Sequence, residues 1–204
     1  HTFLVNGRKV KFKGVNRHET SPENGRAVKL DDMLADIRNA LRCVRDRSAE
    51  WRIDPRRVGV LGFSAGGHLA CLAGTMDWPC RPDFMALVYP HISMTKGLGH
   101  EHMRKKFLGP DATEEDARRA SGELLVSERT PPTFLVHART DEVCPVEHSR
   151  RFAAAMREKG RPVEYLELES GRHGLGCGKG TLWTTWLSAF GKWLDGLMSQ
   201  KDEV

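Results

Sequence analysis

Apolar residues recur in short blocks separated by polar, turn-rich stretches, and their spacing changes along the chain. Arg57 to Phe63, Phe84 to Tyr89 and Thr133 to Ala138 are compact apolar runs of strand length, and Val163 to Leu168 also reads as a strand. Between them the spacing is helical. Met33, Leu34, Ile37, Leu41 and Val44 predict a helix from Asp31 to Trp51, with Asp31 or Asp32 able to cap its start. Further helices are predicted over Gly66 to Gly74, Glu147 to Lys159 and Leu182 to Met198. In the last, Trp183, Trp186, Leu187, Phe190, Trp193, Leu194 and Leu197 form a wide apolar stripe. Tryptophans can stack on carbohydrate, but this spacing reads as core packing. Strands alternating with helices predict an α/β fold with a mostly parallel sheet flanked by helices. Residues 91–130 are polar with one acidic helix near Glu114 to Ala120, and read as a segment lining or covering a site. The first residues differ: Thr2 to Val5, Asn6-Gly7 and Lys9 to Phe12 predict a β-hairpin-like segment. The expected division is therefore 1–30 and 31–204.

Composition adds limits. The 204 residues suit one domain with a real core, and 39% apolar against 29% charged residues describes a soluble globular chain. No apolar run approaches the roughly 18 residues of a membrane span, and no signal peptide is visible, although His1 leaves room for a missing start. The five cysteines form no CxxC pair, and their odd number predicts reduced thiols and a cytoplasmic location. The net charge of +5 is weakly informative. In the densest basic stretch, Arg42 to Arg57, Asp46, Glu50 and Asp54 alternate with the arginines. It reads as a solvated helix face rather than a nucleic-acid patch.

The sharpest motif is Gly62-Phe63-Ser64-Ala65-Gly66-Gly67-His68. It matches the G-x-S-x-G nucleophile elbow, with an apolar strand before it and a helix after it. A serine there sits on a sharp turn, so its neighbours must be small for strand and helix to approach. The turn lifts the hydroxyl out of the sheet and puts the Ala65 N–H at a helix start, where it can bind an oxyanion. A serine needs a base, and the base needs an acid to orient it, in the chain order Ser, Asp/Glu, His. Asp141 follows the strand 133–138, at the carboxyl end where α/β sheets place their sites, and Glu142 is its rival. His173 lies in the loop Ser170-Gly171-Arg172-His173-Gly174 before the last helix. Ser64, Asp141 and His173 are the expected nucleophile, orienting acid and base.

The other histidines carry less. His68 reads as structural, and His137, inside a strand, as a core histidine with a partner. His91, at a strand end on the same sheet edge, is a candidate substrate-binding residue. His100 and His102 form an H-x-H pair, too weak a pattern to predict a metal site.

From about residue 32 to 197 the chain resembles the α/β-hydrolase fold, within it the esterase branch that includes acetylxylan esterases and feruloyl-esterase-like bacterial proteins. The resemblance rests on Arg52 to Ala70, Pro131 to His137, Asp141 to Pro145 and Gly171 to Gly174, spread over about four-fifths of the chain. It implies hydrolysis of short-chain carboxylic esters, including acetyl groups on sugars, with a small-molecule ester as partner and neither metal nor cofactor. Phe3 to Val10, Gly14 to Glu19 and Pro22 to Val28 instead resemble the entry to the catalytic barrel of family 2 glycoside hydrolases, the β-galactosidase type.

Both resemblances are incomplete. A barrel needs about 250 residues and two catalytic carboxylates. The esterase pattern has an upstream strand and Gly-rich loop that supply a second oxyanion N–H, and no such loop precedes Ser64. The expected fold is a truncated α/β-hydrolase with low esterase activity, unless a group near Gly14 to Asn16 takes the missing role. A glycosidase using Glu19 or Glu23, and an inactive remnant, stay open. The sequence does not reveal oligomeric state.

Overall fold

The computed structural model describes residues 3–5, 8–10, 30–98, 101–178 and 181–200. The Asn6-Gly7 turn, Lys11 and Phe12, the Gly14 to Asn16 stretch, Glu19, Glu23 and His100 lie outside the described residues, as does the side chain of His102. Two short strands, β1 (Phe3–Val5) and β2 (Arg8–Val10), pair antiparallel with Phe3 opposite Val10, as the hairpin pattern predicts.

The main sheet has four parallel strands in the order β3 (Val60–Phe63), β4 (Met85–Val88), β5 (Thr133–Ala138) and β6 (Val163–Leu168). All three pairings are parallel, with Val60 beside Met85 and Met85 beside Thr133. The central strands β4 and β5 are buried along their whole length, which explains their unbroken apolar runs.

Side chains alternate across these strands and make two cores. On one face Met85, Leu87 and Leu135 meet Ala70 and Cys71 of α3 (Ala65–Thr75) and Phe152, Ala153 and Met156 of α6 (Glu147–Glu158). On the other face Ala86, Val88, Phe134 and Val136 meet Trp183, Trp186, Phe190 and Leu194. Trp183 lies in a single 3-10 turn, Leu182–Thr184, and the rest belong to α7 (Thr185–Gln200). The tryptophan stripe is thus core. Each such side chain contributes about 1.5–3 kcal/mol by leaving water.

The first long helix, α1 (Leu30–Asp46), packs Leu34 against Leu72, Ala73 and Trp78. The expected single helix to Trp51 divides at Arg47: a four-residue helix α2 (Ser48–Trp51) follows, closed by Arg52 in the left-handed region at φ 55°. Arg45 does not simply face solvent. It pairs with Asp83 at 2.9 Å, and the same carboxylate oxygen accepts the Val58 N–H at 2.8 Å, tying α1 to the approach to β3.

Among the described residues, the polar stretch 91–130 holds two α-helices where one was expected, α4 (Glu101–Leu108) and α5 (Glu114–Arg119), and a 3-10 turn at Gly122–Leu124. α5 has the expected acidic first turn and a reciprocal cap: Thr113 Oγ1 accepts from Asp116 N–H, and Asp116 accepts from Thr113 N–H. Among the described residues no helix is long and apolar enough to cross a membrane. All five cysteines are unpaired.

The two glycines of the elbow differ in what they permit. A Cβ on Gly62 would run into the Gly66 carbonyl, which is backbone and cannot swing away, whereas a Cβ on Gly66 meets nothing within 4 Å. Gly62→Ala is therefore expected to lower Tm by at least about 4 °C, while Gly66→Ala, on a helix, holds or slightly raises it. Thermal unfolding of both variants checks this, and equal behaviour would contradict the stated packing.

Candidate active site

Ser64 stands between β3 and α3 with φ 53° and ψ −117°, a strained conformation for a non-glycine residue. Hydrogen bonds hold it there. Its N–H donates to Val88 O at 3.0 Å, and its carbonyl accepts from His68 N–H at 3.1 Å and His91 N–H at 3.3 Å. Ala65 is the first residue of α3, where the leading amides have no intrahelical partner. Gly67 packs against Pro90, so the helix starts hard against the end of β4.

The loops after β5 and β6 bring Asp141 and His173 to this turn. Ser64 Oγ lies 2.7 Å from His173 Nε2, and His173 Nδ1 lies 2.7 Å from Asp141 Oδ2. With the imidazole neutral, Ser64 O–H donates to Nε2 and Nδ1–H donates to the carboxylate. Asp141 Oδ1 accepts from Val143 N–H at 2.9 Å and Cys144 N–H at 2.8 Å, which fixes the carboxylate plane. Glu142, the rival acid, is exposed and the adjacent Asp141 occupies the place beside His173.

Asp141 is buried, and burial works to raise its pKa. Hydrogen bonds from His137, His173 and the Cys144 N–H outweigh that and hold it well below the usual carboxylate range. The His137 contribution went unseen in the sequence. His137 is a fully buried core histidine as expected, yet its Nε2 also lies 3.3 Å from Asp141 Oδ2 while bonding Cys144 O at 2.9 Å. Its Nδ1 meets Ser149 Oγ at 2.8 Å. Strand periodicity predicts burial of position 137 but not which loop folds over it.

His68 is buried and bonds Ala120 O at 2.7 Å through Nε2, in keeping with a structural role. His91 comes close to His173, with ring centroids 5.9 Å apart, and is nearly sealed from solvent. Phe107 of α4 lies 5.9 Å from it and 5.2 Å from His68, so the polar segment does pack over this end of the sheet.

His91, Cys144 and His148 bring one potential ligand atom each within 4.8 Å of one another. The hydrogen bonds argue against a metal there. His148 Nδ1 already accepts the N–H groups of Ile92 and Ser93 at 3.2 and 3.0 Å, so the proton of the neutral ring sits on Nε2. A metal at Nε2 would have to displace that proton or strip two backbone amides. The Cys144 thiol is pushed far up by burial and donates to Pro90 O at 3.3 Å.

Residues 18–201 match the model of the prolyl oligopeptidase family. The chain belongs to that family. Its fold is α/β-hydrolase-like, with the parallel four-stranded sheet flanked by helices. It is 32% identical over 183 residues to an acetylxylan esterase of Xylanibacter ruminicola, a match covering 84% of this chain and 37% of that protein. It superposes with a TM-score of 0.75 and 42% identity on an acetyl ester-xyloside bifunctional hydrolase from Caldicellulosiruptor lactoaceticus, covering 80% of this chain and 65% of that one. The chain thus spans about a third of the curated relative. A separate short match, 36 residues at 56% identity, is to a β-galactosidase of Pseudoalteromonas haloplanktis and covers 18% of this chain and 4% of that one.

Burial lowers the pKa of His68 and His91 to about 4 and of His148 to about 3, in each case chiefly by desolvating the cation. Their unfolded values lie near 6.5, so the unfolded state binds more protons between these limits. Their contribution to stability is complete above about pH 6.5 and is lost as pH falls toward 4. Each can add up to about 1.4 kcal/mol per pH unit, opposed by Glu123, whose pKa burial raises. Urea unfolding at several pH values should show stability falling through this window, with a shallower fall in His68→Gln; a flat profile would contradict the buried neutral imidazoles.

Proposed function

We propose that this chain is a serine esterase acting on short-chain carboxylic esters, acetylated sugars among them. The observation that carries this is the unbroken hydrogen-bonded line from Ser64 Oγ through His173 to Asp141. The likeness to an acetylxylan esterase and to an acetyl ester-xyloside bifunctional hydrolase supports the ester as the substrate class.

In the proposed mechanism His173 Nε2 takes the proton from Ser64 as Oγ attacks the ester carbonyl. The Ala65 N–H, at the start of α3, binds the oxyanion of the tetrahedral intermediate. His173 then passes the proton to the departing alcohol, leaving an acyl-enzyme. A water deprotonated by His173 attacks the acyl carbon, and the proton returns to Ser64 as the carboxylic acid leaves. Asp141 keeps the Nδ1–H tautomer and offsets the charge on the imidazolium. His91, beside His173, is proposed to border the substrate.

The proposed division is an N-terminal segment over 1–30 and the hydrolase body over 31–204, with α1 opening the body. A glycosidase reading rests on the 36-residue match alone. The five unpaired thiols support a reducing compartment such as the cytoplasm.

Nitrophenyl acetate and nitrophenyl glycosides, offered to the parent and to Ser64→Ala, test the proposal. Acetate release is expected from the parent and none above background from Ser64→Ala, with an organophosphonate attached at Ser64. Asp141→Asn is expected to lower kcat by about 10³–10⁴-fold. Sugar release that survives Ser64→Ala but is lost in Glu19→Gln would favour the glycosidase; a parent neither hydrolytic nor labelled is the inactive remnant.

A further inference from the structure

His173 is carried by a loop rich in glycine, with Gly174, Gly176 and Gly178 at φ 80°, 54° and 61°. Such a chain segment has many accessible conformations, so contacts from elsewhere must hold it if the imidazole is to stay over Ser64. Asp141 supplies one such tie, reinforced where Gly171 N–H donates to Thr140 Oγ1 at 3.0 Å. A second, separate set of contacts closes on Gly176, three residues beyond the base.

Both polar groups of Gly176 are engaged by buried aromatic side chains. Its N–H donates to Tyr89 Oη at 2.8 Å, and its carbonyl accepts from Trp183 Nε1 at 2.8 Å and Trp186 Nε1 at 3.1 Å. The Tyr89 ring also stands against the imidazole, with centroids 4.8 Å apart, and against Trp183 at 5.6 Å. Trp183 is gripped by the same loop: a Cβ on Gly171 would lie 2.9 Å from its ring, and one on Gly178 would collide with it. Tyr89 is itself in an uncommon conformation, φ 38°, with its N–H bonded to Val136 O at 2.8 Å. Strain of this kind persists where the surroundings over-determine it.

We propose that Tyr89, together with Trp183 and Trp186 acting through Gly176, is the positioning device that holds the His173 imidazole over Ser64. The proposal rests on the hydrolase reading of the Ser64–His173–Asp141 line. The phenol oxygen is what Gly176 N–H bonds to, so Tyr89→Phe leaves the ring packed and removes only the tie. Misplacing a reacting group by about an ångström costs up to about 10²-fold in rate.

The full chain carrying Tyr89→Phe, and a second carrying Tyr89→Leu, test this. Tyr89→Phe is expected to lower kcat for nitrophenyl acetate by about tenfold with KM within about twofold, to slow phosphonate labelling in parallel, and to leave Tm nearly unchanged. Tyr89→Leu, which loses ring and tie together, is expected to lose more. The low-field proton resonance of His173 Nδ1–H, assigned by its loss in His173→Gln, is expected to broaden or shift in Tyr89→Phe, a readout that needs no turnover. Unchanged kcat with an unchanged resonance would overturn the positioning role, as would a rise in KM at constant kcat. A parent that neither hydrolyses nor labels would instead overturn the hydrolase reading, and the resonance alone would then decide the fate of the tie.

Discussion

The close approach of β3 and α3 at Gly62 is the constraint on which the site depends. Only a residue without a Cβ lets the Gly66 carbonyl come so near, and only that approach leaves Ser64 at the tip of the turn. The strained φ of Ser64 is held from three directions: Val88 at the end of β4, His68 one helical turn on, and the His91 amide. The turn is thus made by the central strand as much as by the motif itself. The same β4 end supplies Tyr89, which stands against His173, so Ser64 and His173 are both referred to one rigid, fully buried strand.

Much of this was legible in the sequence because it follows from local rules. The glycine spacing around Ser64 encodes a turn, and short apolar runs and helical spacing encode the four strands and most helices. The order of Ser64, Asp141 and His173, each just beyond a strand, suffices to bring them together in a parallel sheet. What stayed hidden depends on contacts between segments far apart in the chain. The break at Arg47 is invisible to apolar periodicity because the four residues of α2 are too few to show a period of their own. The helix at 101–108 is too polar to announce itself. Trp183 and Trp186 read correctly as core, but no pattern shows that their indole N–H groups point at Gly176, 7 and 10 residues earlier.

The electrostatics follow the same logic of burial corrected by partners. Burial raises the pKa of Asp141, and it is the imidazoles of His137 and His173 with a backbone amide that outweigh it and hold the carboxyl as an anion. His68, His91 and His148 lack comparable anionic partners and remain neutral in the same region. The Asp141 anion thereby shares its end of the sheet with three buried imidazoles whose charged form burial disfavours.

Among the described residues β3 is an edge strand, and Leu61 on it is 37% exposed. Edges open before the interior of a sheet does, because fewer ladder hydrogen bonds must break together. Here the edge strand leads directly into Ser64. Fraying at this margin would therefore displace Ser64 while β4, β5 and the loop carrying His173 stayed folded. The placement of Ser64 and global folding are set by different parts of the sheet, and the first can be lost at a lower free-energy cost than the second.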